Sequence, residues 1–115
     1  AYIAFAPKEE RQSLLALLAQ SNDPYDAVAR DTTQVSHLIA ATRRRGYGFR
    51  HGGRIWPHTG AIALPIRVGR RLLGCINTVW MARALVPTTA ANTCLGPLRE
   101  TRELIERRLA EARRQ

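Results

Sequence analysis

Apolar residues recur along the chain at two spacings, and each spacing predicts one kind of element. Three stretches repeat apolar residues every three or four positions, which is typical of helices with one buried face. They run over residues 7–20, 32–45 and 88–114. The positions predicted to be buried are Leu14, Leu15, Leu17 and Leu18 in the first, Val35, Leu38, Ile39 and Thr42 in the second, and Ala91, Cys94, Leu95, Leu98, Thr101, Ile105 and Leu109 in the third.

The ends of these helices carry residues that start or stop a helix. Pro7 suits the first helix because the first turn needs no amide partner at that position. Asp31 or Thr32 can accept a hydrogen bond from the free N–H groups of the second helix, and Gly46 can adopt the left-handed conformation that ends it. Pro97 removes one hydrogen bond from the third helix, so we expect that helix to be split or kinked.

Near-continuous apolar sequence on both sides of a glycine turn predicts a β-hairpin. Residues 61–68 and 72–80 form its strands, and Gly69-Arg70-Arg71 forms the turn. Such apolarity predicts that protein or a ligand cavity covers both faces. Pro65 cannot donate to a central ladder, so we expect an edge position or a bulge there. Asn77 is polar within this apolar strand, so burial would require its amide to bond to backbone, water or a ligand.

The segments between these elements are predicted to be loops with one short strand. Tyr47 to Arg50 predicts the strand, and residues 24–31 predict a loop that follows an Asp-Pro turn. Residues 51–60 contain three glycines and a proline, which predicts a loop with a short extended piece at Arg54 to Trp56. Loops of this composition often border binding sites.

The composition indicates one folded domain. The chain has 115 residues, of which 45% are hydrophobic and 23% are charged, close to ordinary globular usage. No apolar run approaches the roughly 18 residues of a membrane helix, and no signal peptide is recognisable. We therefore expect a cytoplasmic protein with no membrane partner.

The net charge of +9 raises the question of nucleic-acid binding. Seventeen of the eighteen basic residues are arginines beside many alanines, which indicates the bias of a GC-rich genome as much as a binding surface. In the last helix the arginines alternate with glutamates, as on a solvated helix face. Arg43, Arg44 and Arg45 suit the negative end of a helix dipole. Helix solvation and helix capping therefore explain much of the charge.

The sequence contains no motif that supports catalysis. GxSxG, a Walker loop and HExxH are absent. Cys75 and Cys94 lack CxxC spacing and are predicted to be buried apolar residues. His51 and His58 lie seven residues apart, but no cysteine or acid is near them in sequence to complete a metal site. We predict no enzyme activity, no cofactor and no metal.

Four short motifs occur in the order and spacing of one bacterial family. Together they make nearly the whole chain resemble the effector-binding domain of IclR-type transcription regulators. The segment from Gly74 to Trp80 resembles the subgroup that controls aromatic-acid catabolism. The four motifs are Ala1-Tyr2-Ile3-Ala4-Phe5, Arg45-Gly46-Tyr47, Ala63-Leu64-Pro65-Ile66 and Leu95-Gly96-Pro97-Leu98-Arg99-Glu100-Thr101.

The resemblance implies an α+β, GAF-like fold with a mostly antiparallel sheet packed with helices. It implies that residues 1–115 are the C-terminal part of a single effector-binding domain, and that its N-terminal strands and a winged helix-turn-helix domain are missing from this chain. Regulators of this family bind operator DNA as homodimers or homotetramers, and small organic acids shift that binding. The alternatives are a small basic nucleic-acid-binding protein and a GAF-like enzyme.

Carried over by position, the resemblance also implies an effector pocket built from Arg50, Thr59, Ala61, Asn77 and Val79. The sequence departs from the family where Arg50 replaces a frequent acid, where Asn77 and Val79 replace small hydroxyls, and where the preceding loop is about one residue longer. An arginine and an amide in an apolar cavity favour an aromatic or similar organic acid, because a guanidinium pairs bidentately with a carboxylate. The alternative is that Arg50 points to solvent.

Overall fold

The computed structural model describes residues 1–53 and 56–114, in which helical segments come first, three strands follow and a long helix comes last. The extended piece predicted at Arg54 to Trp56 therefore lies mainly outside the described residues. The α+β class is confirmed, with an antiparallel sheet packed against helices, an arrangement consistent with a GAF-like domain. The elements are α1 (Tyr2–Phe5), α2 (Lys8–Ala19), a 3-10 helix (Pro24–Arg30), α3 (Thr32–Arg45), β1 (Gly48–His51), β2 (Thr59–Val68), β3 (Arg71–Met81) and α4 (Pro87–Arg114).

The three strands form one antiparallel sheet in the order β1-β2-β3. Gly69 joins β2 to β3 with a φ of 61°, which confirms the predicted glycine turn. Ile66 pairs with Gly74 while Arg67 pairs with Leu72, so Leu73 is an extra residue in β3. Pro65 lies beside this irregularity and beyond the end of β1, whose pairing with β2 stops at Ala63. Both expectations for Pro65 are therefore met.

One face of the sheet, which we call the inner face, packs against α4 and forms the core. Ile62 and Leu64 on β2 are fully buried there, and Trp80 on β3 is nearly so. They contact Ala90 and Leu98 of α4. Side chains alternate between the two faces of a strand, so the neighbouring odd-numbered residues point away from α4. We call that opposite side the outer face.

The long helix α4 runs unbroken through Pro97 to Arg114. Of the two expected outcomes, a split is wrong, because packing on the sheet outweighs the loss of one helical hydrogen bond, while a kink stays a prediction. A side chain of α4 also holds the sheet irregularity. The backbone N–H of Arg67 donates to Glu106 Oε2 at 2.6 Å, so a charged acceptor satisfies an amide next to the extra residue. No helix within the described ranges is long and apolar enough to span a membrane.

The prediction that both faces of the hairpin are covered is wrong. Val79 is 58% exposed, and Cys75 and Asn77 are also exposed on the outer face. The apolar pattern misled because the outer row of β2 consists largely of small residues such as Ala61 and Ala63. Neighbouring strands half-bury such small side chains without a second layer of protein.

Helices α2 and α3 begin and end near the predicted residues but bury less than predicted. Asp31 is the cap of α3, since the Gln34 N–H donates to Asp31 Oδ1 at 3.0 Å, and Gly46 ends it with a φ of 88°. Leu17 is 66% exposed and Leu38 is 52% exposed, so their predicted burial is wrong. Neither helix has a fully buried residue, because the neighbouring elements cover only part of its apolar face.

The loop predicted at residues 24–31 is instead largely a 3-10 helix. The N–H of Asp31 donates to the Val28 carbonyl at 3.0 Å, which is the three-residue spacing of that helix. Arg30 then ties the segment to α2, because its Nε donates to the Ala19 carbonyl at 3.3 Å. The turn-forming Asp-Pro sequence at the start of this segment is therefore compatible with a 3-10 helix directly after it.

A substitution at Gly60 tests the packing of the inner face. It is buried opposite Trp80, and a Cβ at Gly60 would lie 2.4 Å from two atoms of the indole ring. We expect Gly60→Ala to lower the free energy of unfolding by about 2 kcal/mol, because overpacking a core forces side chains and backbone to shift. Urea unfolding followed by circular dichroism measures the change.

Gly74→Ala is the matched control within the same sheet. A Cβ at Gly74 would meet nothing within 4 Å, so we expect the free energy of unfolding to change by less than about 0.5 kcal/mol. Equal losses in the two variants would show that the cost at Gly60 does not come from the indole ring.

Candidate ligand-binding site

The five residues of the predicted effector pocket lie together on the outer face. Arg50 pairs with Ala61, and Ala61 pairs with Val79, so these three residues form one row across the sheet. Thr59 and Asn77 each lie two residues from this row on β2 and β3, which puts them on the same face. Side chains directly opposite each other have Cβ atoms about 5 Å apart. The fold therefore gathers these residues, while their role in binding stays a prediction.

Asn77 differs from its predicted environment. The sequence predicts a buried amide that needs a partner, whereas the residue is exposed. Water can satisfy an exposed amide, so Asn77 carries no desolvation penalty in the unliganded protein. Its donor and acceptor are available to a molecule that lies on the outer face.

Arg50 is engaged with the loop that follows β1. Its Nη1 donates to the carbonyls of Gly52 at 3.2 Å, Trp56 at 3.0 Å and Thr59 at 2.8 Å. Its Nη2 donates to Thr59 Oγ1 at 2.9 Å. The guanidinium therefore does not point freely to solvent, and most of its N–H donors already have acceptors. It holds the described residues 52, 53 and 56–58, which we call the 52–58 loop, against the edge of the outer face.

Helix α1 borders the outer face at the opposite end of β1. The Cβ of Ala1 lies 3.1 Å from the position that a Cβ on Gly48 would take, so only a glycine allows this approach without a shift. Arg43 fixes α1 to α3, because its Nη1 donates to the Ala4 carbonyl at 2.8 Å. The predicted role of Arg43 as a helix-end residue thus gains a tertiary partner. The outer face is open between α1 and the 52–58 loop.

A pocket of about 430 Å³ lies where the 52–58 loop meets the end of β3. Its walls are joined by the backbone, since the Ala82 N–H donates to the His58 carbonyl at 2.8 Å. Met81 pairs with Thr59 and so continues the outer row of β3 beyond Val79. The residues that line the pocket are Pro57, His58, Met81, Ala82 and Arg83.

Sequence reasoning missed this pocket because it ended the second strand at Trp80. The alternation of Asn77, Val79 and Met81 was the available signal, since it extends the outer row by one residue. Arg83 follows in a turn and is exposed. It makes no hydrogen bond, ion pair or ring contact within residues 1–53 and 56–114.

The structure gives the environments of the two cysteines and of His51. The predicted burial is wrong for Cys75, which is exposed, whereas Cys94 is half-buried and packs against the core. Desolvation of the thiol nevertheless raises the pKa of Cys75, despite opposing positive charge nearby. His51 accepts a hydrogen bond from Trp80 Nε1 at 3.4 Å and so supports the core. The described part of the chain contains no group of three potential metal ligands among His, Cys, Asp and Glu.

The α+β domain defined by this sheet and α4 has a counterpart among solved structures, whereas no protein-family model matches the chain. The counterpart comes from Rhodococcus sp. RHA1 and is described as a candidate transcriptional regulator. It superposes with a TM-score of 0.68 at 21% sequence identity over 96% of the present chain. The present chain spans 44% of that protein's length. At this identity the likeness shows a shared fold.

The contacts of Arg50 predict that this side chain keeps the 52–58 loop ordered. Arg50→Ala removes four hydrogen bonds from a charged donor, and because the site is partly exposed we expect a loss of about 1–2 kcal/mol. Amide hydrogen exchange at residues 52, 53 and 56–58 should become roughly tenfold faster. Arg83→Ala is the control, since it removes an arginine without such contacts. Unchanged protection in Arg50→Ala would exclude this role.

Proposed function

We propose that the chain is the small-molecule-sensing part of a bacterial transcription regulator of the IclR type. The carrying observation is that residues from β1, β2 and β3 converge on one open face of the sheet, between α1 and the 52–58 loop. The proposed effector is an organic acid with an apolar, preferably aromatic, body. Its apolar body lies against Val79 on the outer face, which also carries Ala61 and the amide of Asn77.

Two independent likenesses support a regulator. The short motifs of the sequence resemble the IclR-type effector-binding domain, and the solved structure with the same fold is described as a candidate transcriptional regulator. That protein is more than twice as long as the present chain, since the chain spans 44% of it. The proposal assigns operator binding to an N-terminal domain outside residues 1–115. It also includes a homodimeric or homotetrameric state and a cytoplasmic location.

The open outer face suggests how an effector could act. A ligand there would contact the sheet, α1 and the 52–58 loop together, and it would favour whichever arrangement of these elements buries it best. A ligand shifts an equilibrium only by its difference in affinity for the two arrangements. Coupling to DNA binding would follow if the DNA-binding domain senses the same rearrangement.

The chemistry of the outer face argues against an enzyme. Catalysis by a cysteine requires a thiolate, and the raised pKa of Cys75 keeps its thiol protonated at neutral pH. The basic composition would instead favour nucleic-acid binding by the chain itself, which predicts DNA affinity that falls steeply with salt. Several arginines near the sheet, including Arg43 and Arg50, are already bonded to backbone carbonyls. We therefore prefer the sensor.

A thermal-shift screen of the protein against organic acids tests this proposal. A ligand at about ten times its Kd stabilises the native state by about 1.4 kcal/mol. For a domain of this size that corresponds to a rise in Tm of roughly 5 °C. Val79→Glu should abolish the rise, because it adds bulk and negative charge at the centre of the outer face. Val79 is exposed, so the variant should fold normally.

Leu17→Glu is the control for this variant, because Leu17 is an equally exposed apolar residue on α2 and away from the sheet. It should keep the full ligand-induced rise. A rise that survives in Val79→Glu would place the ligand elsewhere. No rise with any acid, combined with salt-sensitive DNA binding by the chain alone, would favour the nucleic-acid alternative.

A further inference from the structure

The positive charge that the proposed acid needs is not freely available at Arg50. Three backbone carbonyls and one hydroxyl already surround its guanidinium. A carboxylate that pairs end-on with Nη1 and Nη2 would compete with these hydrogen bonds, which leave only Nε–H and one Nη2–H unused. An anchor that costs the loop its order would weaken binding, because the bonds lost offset those gained. A cation without such prior bonds is the better anchor, and one lies at the end of the outer face.

Arg83 meets the requirements that Arg50 does not. It lies two residues beyond Met81, the last outer-face residue of β3, and it lines the 430 Å³ pocket. Its guanidinium is exposed and has no partner in the described part of the chain. A guanidinium in this state can turn both of its parallel N–H groups to a carboxylate at no cost in existing contacts.

The rest of the pocket suits the body of an aromatic acid. Its volume falls in the range of small-molecule sites, and three of its five lining residues are apolar. Met81 is the flexible wall, because its unbranched thioether chain adapts to flat or irregular ligands. A strand advances about 3.3 Å per residue, so Val79 lies roughly 7 Å from Met81 along the outer row. A small aromatic acid is of comparable length.

We propose that Arg83 is the carboxylate-binding residue for an aromatic monocarboxylic acid seated in this pocket, with the apolar body over Met81 and toward Val79. This assignment rests on the proposed function of the outer face. His58 also lines the pocket and offers the acid a second polar contact. Arg50 is a positioning residue, because it holds the carbonyls of Trp56 and Thr59 on either side of Pro57 and His58.

The test uses pairs of aromatic acids and their neutral amides on the full chain. Benzoate, phenylacetate and cinnamate are titrated beside benzamide, phenylacetamide and cinnamamide, with affinities from chemical-shift changes of backbone amides. In the wild-type protein the tightest acid should bind at least tenfold more tightly than its amide. Arg83→Gln should reduce this preference to about one, because the amide never used the charge. The largest shifts should fall at residues 79–83.

Arg71→Gln is the matched control, because it removes the same charge from the opposite end of β3. It should keep the preference for the acid. Equal losses in Arg71→Gln and Arg83→Gln would overturn the anchor, since net charge alone would then explain acid binding. Acid binding that survives Arg83→Gln but is abolished by Val79→Glu would overturn the anchor and leave the proposed function standing. Failure of all three acids at millimolar concentration would overturn both.

Discussion

The packing of α4 against the inner face of the hairpin is the contact on which the other features depend. Ile62 and Leu64 lose essentially all their exposure there, and burying such a side chain contributes about 1.5–3 kcal/mol. Trp80 adds the largest ring and fits only because Gly60 has no side chain. This packing also determines the outer face, because the period of two along a strand turns every alternate residue away from α4. A slip of one residue would exchange the two faces.

Several charged side chains in this domain form hydrogen bonds with backbone groups. Arg50 and Arg43 donate to carbonyls of residues in other segments, and Glu106 accepts from an N–H beside the strand irregularity. These contacts give backbone groups a charged partner, and the Thr59 carbonyl accepts from the Gly52 N–H as well as from Arg50. Charged hydrogen bonds of this kind let α1 and the 52–58 loop border the sheet without forming strands themselves. The edges of the candidate site are therefore built from irregular backbone held by charged side chains.

Local patterns in the sequence predicted the hairpin and the helices α2, α3 and α4, but they missed the 3-10 helix Pro24–Arg30. The hairpin, the cap at Asp31 and the end of α3 at Gly46 follow from residues adjacent in sequence, and all three are present. Burial was predicted less well, because it depends on which elements meet. Leu17 and Leu38 belong to regular apolar stripes, yet their helices leave them exposed. Periodicity indicates which residues share a face but not whether another element covers it.

The candidate site shows the same division between local and distant information. Alternation along the strands was sufficient to put Ala61, Asn77 and Val79 on one face, and the register does so. The partners of Arg50 were not predictable, because they depend on how the loop of residues 52–58 folds back on the strand. The same applies to the pocket at Arg83, which exists only because this loop meets the end of β3.

Because the whole chain is positively charged, selectivity among anions depends more on the shape of that pocket than on its positive charge. A chain of net charge +9 attracts any small anion over most of its surface, and salt screens this attraction within about 10 Å at ordinary ionic strength. Long-range attraction therefore cannot distinguish an aromatic acid from inorganic phosphate or acetate. Selectivity requires a place where an available guanidinium adjoins apolar walls. Only a ligand with a carboxylate and an apolar body gains from the charge and from the walls together. The outer face beside Met81 provides this combination, which ties the choice of ligand to the register of the hairpin.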